Sequence, residues 1–483
     1  MSNRPGRLSV EHLTAGLYGW QDGPGPRYLR LAEALRSLVD SGSVAPGTRL
    51  PAERPLAAAL EVSRNTVAAA YRHLRDDGWL DARQGAAPRV AAATHLSGDY
   101  AASADPFADF FRESPRPRHD LTIASPPPAP AVLDALGRLP DLMPESAGLD
   151  GGCYPSGHPL LLEAVVRKLR DDGIPARPEE IVVTSGAQQA LALVAAALYR
   201  PRRVAAIETV TFPGLIDAIR RRGRQRLVTL PVEQDGLQVD AAARLIRATS
   251  PSAAYVTSFQ NPTGRSISDA GKEVLLDAAA AAGTTVVEDR VLADLPLKGQ
   301  EPSAPLAALS PDSPVITIGS ISKVLWGGLR IGWIHTNRTL ASLLRARRSA
   351  LDLGSPAPMQ FAAAWLLQNH YEDSRAWRVR QLRSSLDALT SAITDAGLDW
   401  RYQEPHGGLN LWIRLPRPTA RAFADRAARD GVPVVPGNVF TTAAGVAADR
   451  IRIPFYLPPD DLASAVTILT ASWERHRRAD PRL

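Results

Sequence analysis

Near the start of the chain, Tyr28, Leu31, Ala32, Leu35, Leu38 and Val39 recur at helical spacing, with Arg30, Glu33, Arg36 and Asp40 on the opposite side. The pattern predicts a helix that Pro46-Gly47 brings to an end. A second, short helix follows Pro51 and turns Leu56, Ala57 and Leu60 inward. Ser63 is suited to cap a third helix, whose apolar face is Val67, Ala70, Tyr71 and Leu74 and which Gly78 terminates. Residues 79–83 and 89–92 then read as two strands around a turn containing Gly85.

After residue 130 the pattern changes. Short, nearly continuous apolar runs at residues 181–183, 204–207, 254–256, 285–287, 315–318 and 331–334 alternate with amphipathic or alanine-rich helices. Strands without alternation are buried on both faces, so these predict a mostly parallel sheet covered by helices. From about residue 340, long helices lead into strands at 409–415 and 450–455, the pattern of a smaller α+β unit. Between the two regions, residues 91–130 are rich in Ala, Ser, Asp and Pro, end in Ser125-Pro126-Pro127-Pro128-Ala129-Pro130, and have no apolar period. They read as a linker. The expected organisation is an α/β multidomain chain: a head at 25–93, a linker at 94–130, a large domain at 131–345 and a small C-terminal domain at 346–478.

Composition changes this picture little. The 483 residues are 45% hydrophobic and 22% charged, a globular balance that excludes collagen-like or wholly disordered chains. A single cysteine, Cys153, excludes an internal disulfide framework and a cysteine-rich zinc site, and no metal site is expected. Residues 1–25 carry Arg4, Arg7, His12 and Asp22 among turn formers rather than a secretory leader pattern. Apolar runs such as residues 190–199 fall short of the roughly 20 residues of a membrane span, and a cytoplasmic location is expected. The formal charge is +6. Residues 1–93 hold twelve arginines against nine acidic residues, so charge alone does not identify a nucleic-acid binder.

The second and third helices, joined through Glu61-Val62, have the layout in which the later helix enters a major groove. Its start carries Arg64, Asn65 and Thr66, residue types that read guanine, adenine, and phosphate or a thymine methyl. Arg49, Arg54, Arg72 and Arg75 are placed to neutralise flanking phosphates. The runs Pro46-Gly47-Thr48-Arg49-Leu50-Pro51-Ala52-Glu53-Arg54, Val62-Ser63-Arg64-Asn65-Thr66-Val67, Tyr71-Arg72-His73-Leu74 and Gly78-Trp79-Leu80 resemble the GntR-type winged helix over about 65 residues. The resemblance implies DNA contacts from Arg49, Arg54, Ser63, Arg64, Asn65, Thr66 and Arg72, with the hairpin as the wing. The wing tip, Gly85-Ala86-Ala87-Pro88, departs from the family's glycine-rich tip.

In the long region, Thr184-Ser185-Gly186-Ala187-Gln188 follows a strand and opens a helix, so its free N–H groups suit a phosphate. Asn261-Pro262-Thr263-Gly264, Asp289 and Ser320-Ile321-Ser322-Lys323 each follow or end another strand, and Arg330 lies seven residues beyond Lys323. Open α/β sheets bind ligands beyond their strand carboxyl ends. Together these motifs resemble the pyridoxal 5′-phosphate (PLP) enzymes of aminotransferase fold type I across about residues 120–478.

The resemblance implies a Schiff base at Lys323, a pyridinium partner in Asp289, a donor to the phenolic oxygen in Asn261 and a ring stack from Phe212. It implies a phosphate site from Ser185, Gly186, Ala187, Ser320 and Arg330, and a carboxylate clamp in Arg452. Tyr154, in Tyr154-Pro155-Ser156-Gly157, matches a segment that completes the partner subunit's site. One departure bears on mechanism. In Glu288-Asp289-Arg290-Val291, Val291 stands where the family usually has a tyrosine donating to the phenolic oxygen. Losing that donor disfavours the phenolate form, a site tuned less for turnover.

Winged helix, linker and aminotransferase-like domain in one chain resemble the MocR-type transcription regulators. That implies a homodimer that binds double-stranded operator DNA and senses PLP, or an amino-acid-like effector, through an aldimine at Lys323. The alternative is an active aminotransferase with an autoregulatory head. A third reading is a fold that binds no cofactor and serves as a dimerisation platform.

Overall fold

The protein is seen here as a computed structural model that describes residues 8–479 apart from 18–19, 22–25, 41–43, 45–46, 77–78, 82–87, 91–93, 96–116, 146–150, 199–202, 221–225, 298, 302–303, 311–314, 418 and 444. The N-terminal head comprises α1 (Val10–Gly16), α2 (Arg27–Asp40), α3 (Glu53–Ala59) and α4 (Arg64–Asp76), followed by the wing strands β1 (Leu80–Asp81) and β2 (Arg89–Val90). Ser63 caps α4, its Oγ accepting from the Thr66 amide at 3.1 Å. The α3–α4 turn passes through Glu61 in the left-handed region, φ 53°, while the Val62 amide donates to the Ala57 carbonyl at 3.1 Å.

Leu31, Leu35, Leu56, Val67, Ala70, Tyr71 and Leu74 meet Trp79 and Val90 in one core. The Tyr71 hydroxyl is satisfied there by the Pro51 carbonyl at 2.9 Å. The head begins earlier than residue 25, because Leu13, Leu17 and Trp20 are buried in this same core. Leu13, Leu17 and Trp20 stand four and three residues apart, a helical spacing in a segment that the expected head, 25–93, does not include. The wing tip expected at Gly85-Ala86-Ala87 lies outside the described residues.

The remaining strands are β3 (Thr94–His95), β4 (Ile181–Thr184), β5 (Val204–Glu208), β6 (Arg226–Leu230), the small hairpin β7 (Val232–Glu233) and β8 (Gly236–Leu237), β9 (Ala253–Thr257), β10 (Thr285–Asp289), β11 (Val315–Ser320), β12 (Gly332–His335), β13 (Arg401–Tyr402), β14 (Asn410–Arg414), β15 (Val435–Pro436) and β16 (Arg450–Pro454). An eight-stranded sheet has the order β3-β6-β5-β9-β10-β11-β12-β4. Strands β6, β5, β9, β10 and β11 run parallel. Strand β12 is antiparallel to both of its neighbours. The mostly parallel sheet expected from the apolar runs is borne out. It also contains β6, which Arg226 and Thr229 kept from reading as an apolar run.

A four-stranded sheet, β13-β14-β16-β15, is formed further along, followed by helix Pro459–Ala479. No break in packing marks the boundary expected near residue 345. Val165 and Val183 share one hydrophobic cluster with Leu409, Phe423 and Trp473.

The segment read as a linker, 94–130, requires correction at both ends: at its start Thr94–His95 form β3, antiparallel to β6, and its far end is folded as well. The Leu121 amide donates to the Pro433 carbonyl at 3.1 Å and the Ala129 amide to the Leu325 carbonyl at 3.0 Å, and both side chains are buried. Residues 117–129 therefore belong to the folded body. An extended, proline-rich chain can line a folded wall without showing an apolar period.

Candidate functional site

The carboxyl ends of the parallel strands open into a cavity of about 580 Å³, within the size range of small-molecule sites. Lys323 stands in a π-helical turn, Ser322–Trp326, directly after β11. Its Nζ donates to the Ala124 carbonyl at 2.7 Å. Burial, then the Arg452 charge, and finally Arg330 push its pKa down to about 8, with Asp289 opposing. At pH 7 such an amine is neutral about a tenth of the time, against about one part in three thousand for an ordinary lysine.

Asp289 ends β10, the strand beside β11. Burial raises its pKa to about 6, opposed by the Val291 amide and the Lys323 charge; the amide donates at 2.9 Å. Ser320 ends β11, its Oγ donating to the Ile331 carbonyl at 2.9 Å and accepting from the Ser322 amide at 3.2 Å.

Arg330 has the left-handed φ of 53°, and its Nη2 donates to the Ser185 carbonyl at 2.5 Å. Gly186, φ 81°, leaves room for that guanidinium, since a Cβ there would lie 2.8 Å from Nη2. Ala187 then opens helix Ala187–Leu198. A helix N-terminus beside an arginine is suited to a phosphate. Phe212 lines the cavity beyond β5. Gly214 keeps that corner open, because an added Cβ would lie 2.0 Å from Gln188 Oε1 and 2.5 Å from the Phe212 ring.

Arg452, on β16, is 5% exposed. Burial pushes its pKa down to about 10. Its Nη1 donates to Asn410 Oδ1 at 3.3 Å, and Asn410 Nδ2 donates to Asn261 Oδ1 at 3.4 Å. Its Nη2 donates to the Thr122 carbonyl. Beneath the cavity, the Glu208 carboxylate at the end of β5 accepts from the Thr257 amide at 3.2 Å, Thr257 Oγ1 at 2.9 Å, Gln260 Nε2 at 3.3 Å and Thr211 Oγ1 at 3.3 Å.

The structure thus brings Lys323, Asp289, Asn261, Ser320, Arg330, Arg452, Phe212 and Ala187 to one cavity. Ser185 and Gly186 stand behind it, joined through Arg330. Tyr154 is not among the lining residues; its ring meets His158 edge-on at 4.7 Å. The donor set fits PLP. Two buried polar atoms at the cavity, Gln188 Oε1 and Arg452 Nε, have no hydrogen-bond partner among the described residues, the condition expected of groups that await a ligand. Sequence reasoning missed Glu208, Asn410 and the carbonyls of residues 122–124, and gave Gln188 no role of its own within its motif. Asn410, a polar residue between Leu409 and Leu411, carried the one available signal.

In the head, Arg49, Arg54, Arg64, Asn65 and Arg72 are exposed and Thr66 is half-buried. Ser63 is exposed, but its Oγ is engaged with the Thr66 amide and, at 2.8 Å, with Thr66 Oγ1. Arg64 Nε pairs with Glu53 Oε2 at 3.0 Å, the arginine exposed and the glutamate half-buried, so the pair is partly screened by solvent. Among the described residues, no cluster of His, Cys, Asp and Glu could hold a metal ion. No described helix is long and apolar enough to cross a membrane.

Residues 128–469 match the family "Aminotransferase class I and II" and residues 27–90 match "Bacterial regulatory proteins, gntR family". The chain is 30% identical over 478 residues to the HTH-type transcriptional regulator TauR of Rhodobacter capsulatus, covering 90% of this chain and 92% of that one. It is 28% identical over 429 residues to the probable rhizopine catabolism regulatory protein MocR of Rhizobium meliloti, covering 85% and 86%. Among solved structures, the alpha-aminoadipate aminotransferase LysN of Thermus thermophilus, complexed with N-(5′-phosphopyridoxyl)-L-leucine, aligns with a TM-score of 0.69 at 26% identity, covering 77% of this chain and 95% of that one.

Proposed function

Since the chain belongs to the aminotransferase class I and II family and, through its gntR-family head, to the MocR-type transcription regulators, we propose that its large domain binds PLP at Lys323 and reads an amino compound there, setting how tightly α4 holds an operator. The observation that carries this reading is Lys323, its pKa lowered to about 8, sharing a cavity with Asp289 and Arg330.

Arg330, Ser320 and the Ser185-Gly186-Ala187 turn would hold the phosphate. Asp289, mostly ionised at pH 7 with a pKa of about 6, would accept from the ring nitrogen. Phe212 would cover the ring face, and Asn261 would face the phenolic oxygen. When bound, the cofactor supplies an electron sink beside the amine-bearing carbon of the compound it meets. Arg452 would take a carboxylate. Val291 offers no hydroxyl, and among the described residues no tyrosine lines the cavity, which supports sensing over turnover. A homodimer belongs to this reading; Leu351 and Leu353, 68% and 56% exposed near the Tyr154 turn, support a second copy there.

The test is a visible absorbance spectrum of the full chain and of Lys323→Ala, both supplied with PLP. It is joined to operator affinity on duplexes selected from a random library. A band restricted to the parent, with affinity that responds to amino compounds in the parent alone, is expected. Equal cofactor binding and equal operator response in the variant would overturn the reading.

The second reading, an active aminotransferase, is favoured by the joint presence of Lys323, Asp289, Asn261, Arg330 and Arg452 in the cavity. Sustained turnover of an amino acid with a keto acid would establish it.

A further inference from the structure

The two cations that an amino-acid ligand has to reach are held by one short stretch of backbone. The Ala124 carbonyl accepts from Lys323 Nζ at 2.7 Å, and the Thr122 carbonyl accepts from Arg452 Nη2. The stretch is pinned at either side, at Leu121 to Pro433 and at Ala129 to Leu325. Arg452 Nη1 is taken by Asn410, whereas Nε is buried without a partner among the described residues. A carboxylate gripping the Nε–Nη2 edge in bidentate fashion competes with the Thr122 carbonyl for Nη2.

We propose that residues 122–125 form a strap whose anchoring point is switched by the ligand, between the Thr122 carbonyl on Arg452 and the Ala124 carbonyl on Lys323. The inference rests on the sensor reading above and specifies its regulation. In the cofactor-free chain both carbonyls are held. Lys323 gives up its hydrogen bond to Ala124 once its nitrogen is bonded to the cofactor, leaving the strap on Arg452. A ligand amine that takes the place of Lys323 breaks one C=N bond as another forms, and its two protons end on Lys323. Nothing is oxidised. Lys323 then donates to Ala124 again, while the ligand's carboxylate removes Thr122 from Arg452.

The hold thus moves by two residues, about 7 Å of extended chain. In sequence the strap follows residues 96–116, which begin at β3 on the edge of the large sheet, so the switch changes where the far end of that segment is anchored. The ligand class follows from the walls. The cations lining the cavity, among the described residues, are Lys323, Arg330 and Arg452, which leaves none for a second carboxylate. Ile123, Leu292, Leu409 and Phe440 are apolar. The strap answers to a monocarboxylic amino acid with an apolar side chain.

Hydrogen–deuterium exchange of residues 118–126 in the full-length protein tests this, with absorbance followed in the same samples. The probes are L-leucine and 3-methylbutylamine, the same skeleton without the carboxylate. Relative to the PLP-loaded parent, the amine should slow exchange about fivefold, because both carbonyls are held. PLP-loaded Arg452→Leu should speed it about fivefold, because neither is held. L-leucine should leave exchange between these limits while increasing operator affinity or decreasing it. Exchange that is the same in all four samples, although absorbance shows both amines engaging the cofactor, would overturn the strap and leave the sensor reading standing. Absorbance that responds to neither amine would remove the sensor reading and the strap with it. As a ligand-free check, Lys323→Ala and Arg452→Leu should each speed exchange without cofactor, and the double variant more than either. A double variant no faster than the parent would overturn the strap.

Discussion

Glu208 shows what a single buried carboxyl can do below the chemistry. It ties the loop that carries Phe212 to the strand end that leads into Asn261, through Thr211, Thr257 and Gln260. Burial raises its pKa from 4.5 to about 7, against hydrogen bonds that lower it. The folded chain therefore holds a proton that the unfolded chain has released. The resulting stability is complete below pH 4.5 and is lost as pH rises through 7, about 3 kcal/mol at most. Asp289, raised from 3.8 to about 6, acts in the same direction at lower pH. The melting temperature of the cofactor-free chain should thus fall between pH 5 and 8, and Glu208→Gln should reduce that fall. An identical fall in the variant would show that the group does not titrate in this window. Lys323, Asp289, Asn261 and Ser320 were legible in the sequence because each closes or follows an apolar strand run in a short motif. Glu208 was not, since its partners come from β9 and the loop after it, some fifty residues away in sequence.

At the scale of elements, α4 separates folding from recognition within its first turn. Ser63→Ala removes the cap on the Thr66 amide and should destabilise the head by about 1 kcal/mol, weakening every duplex alike. Arg64→Ala removes only a partly exposed pair with Glu53, at a stability cost of about 0–1 kcal/mol. Lost base contact should nevertheless reduce operator affinity by about 1–3 kcal/mol, with relaxed preference at one base position. Anisotropy titrations at fixed salt, beside thermal melts, distinguish the two variants; equal loss on operator and random duplexes for Arg64→Ala would assign it to phosphate instead. Helices α2 to α4 and six strands of the large sheet were legible because their apolar periods are long enough to count. The first helix, β3, β6 and residues 117–129 were not. The helix is only seven residues long, β3 is two residues inside a segment read as linker, β6 mixes Arg226 and Thr229 into its run, and the extended segment gains its order from partners distant in sequence.

Over the whole molecule, the division that matters is between cores rather than between sheets. The head has a core of its own, while residues from Leu121 to Trp473 pack into another that spans both larger sheets. Packing of that kind favours melting of the body as one unit. Scanning calorimetry should therefore resolve two heat-absorption peaks, the smaller from the head. Cofactor should shift the larger peak upward by mass action and leave the smaller where it was; a shift of both, or of the smaller alone, would contradict the division. On the reading proposed above, ligand sensing and the hold on DNA sit in units with separate cores, so heat can remove one of them while the other is still folded.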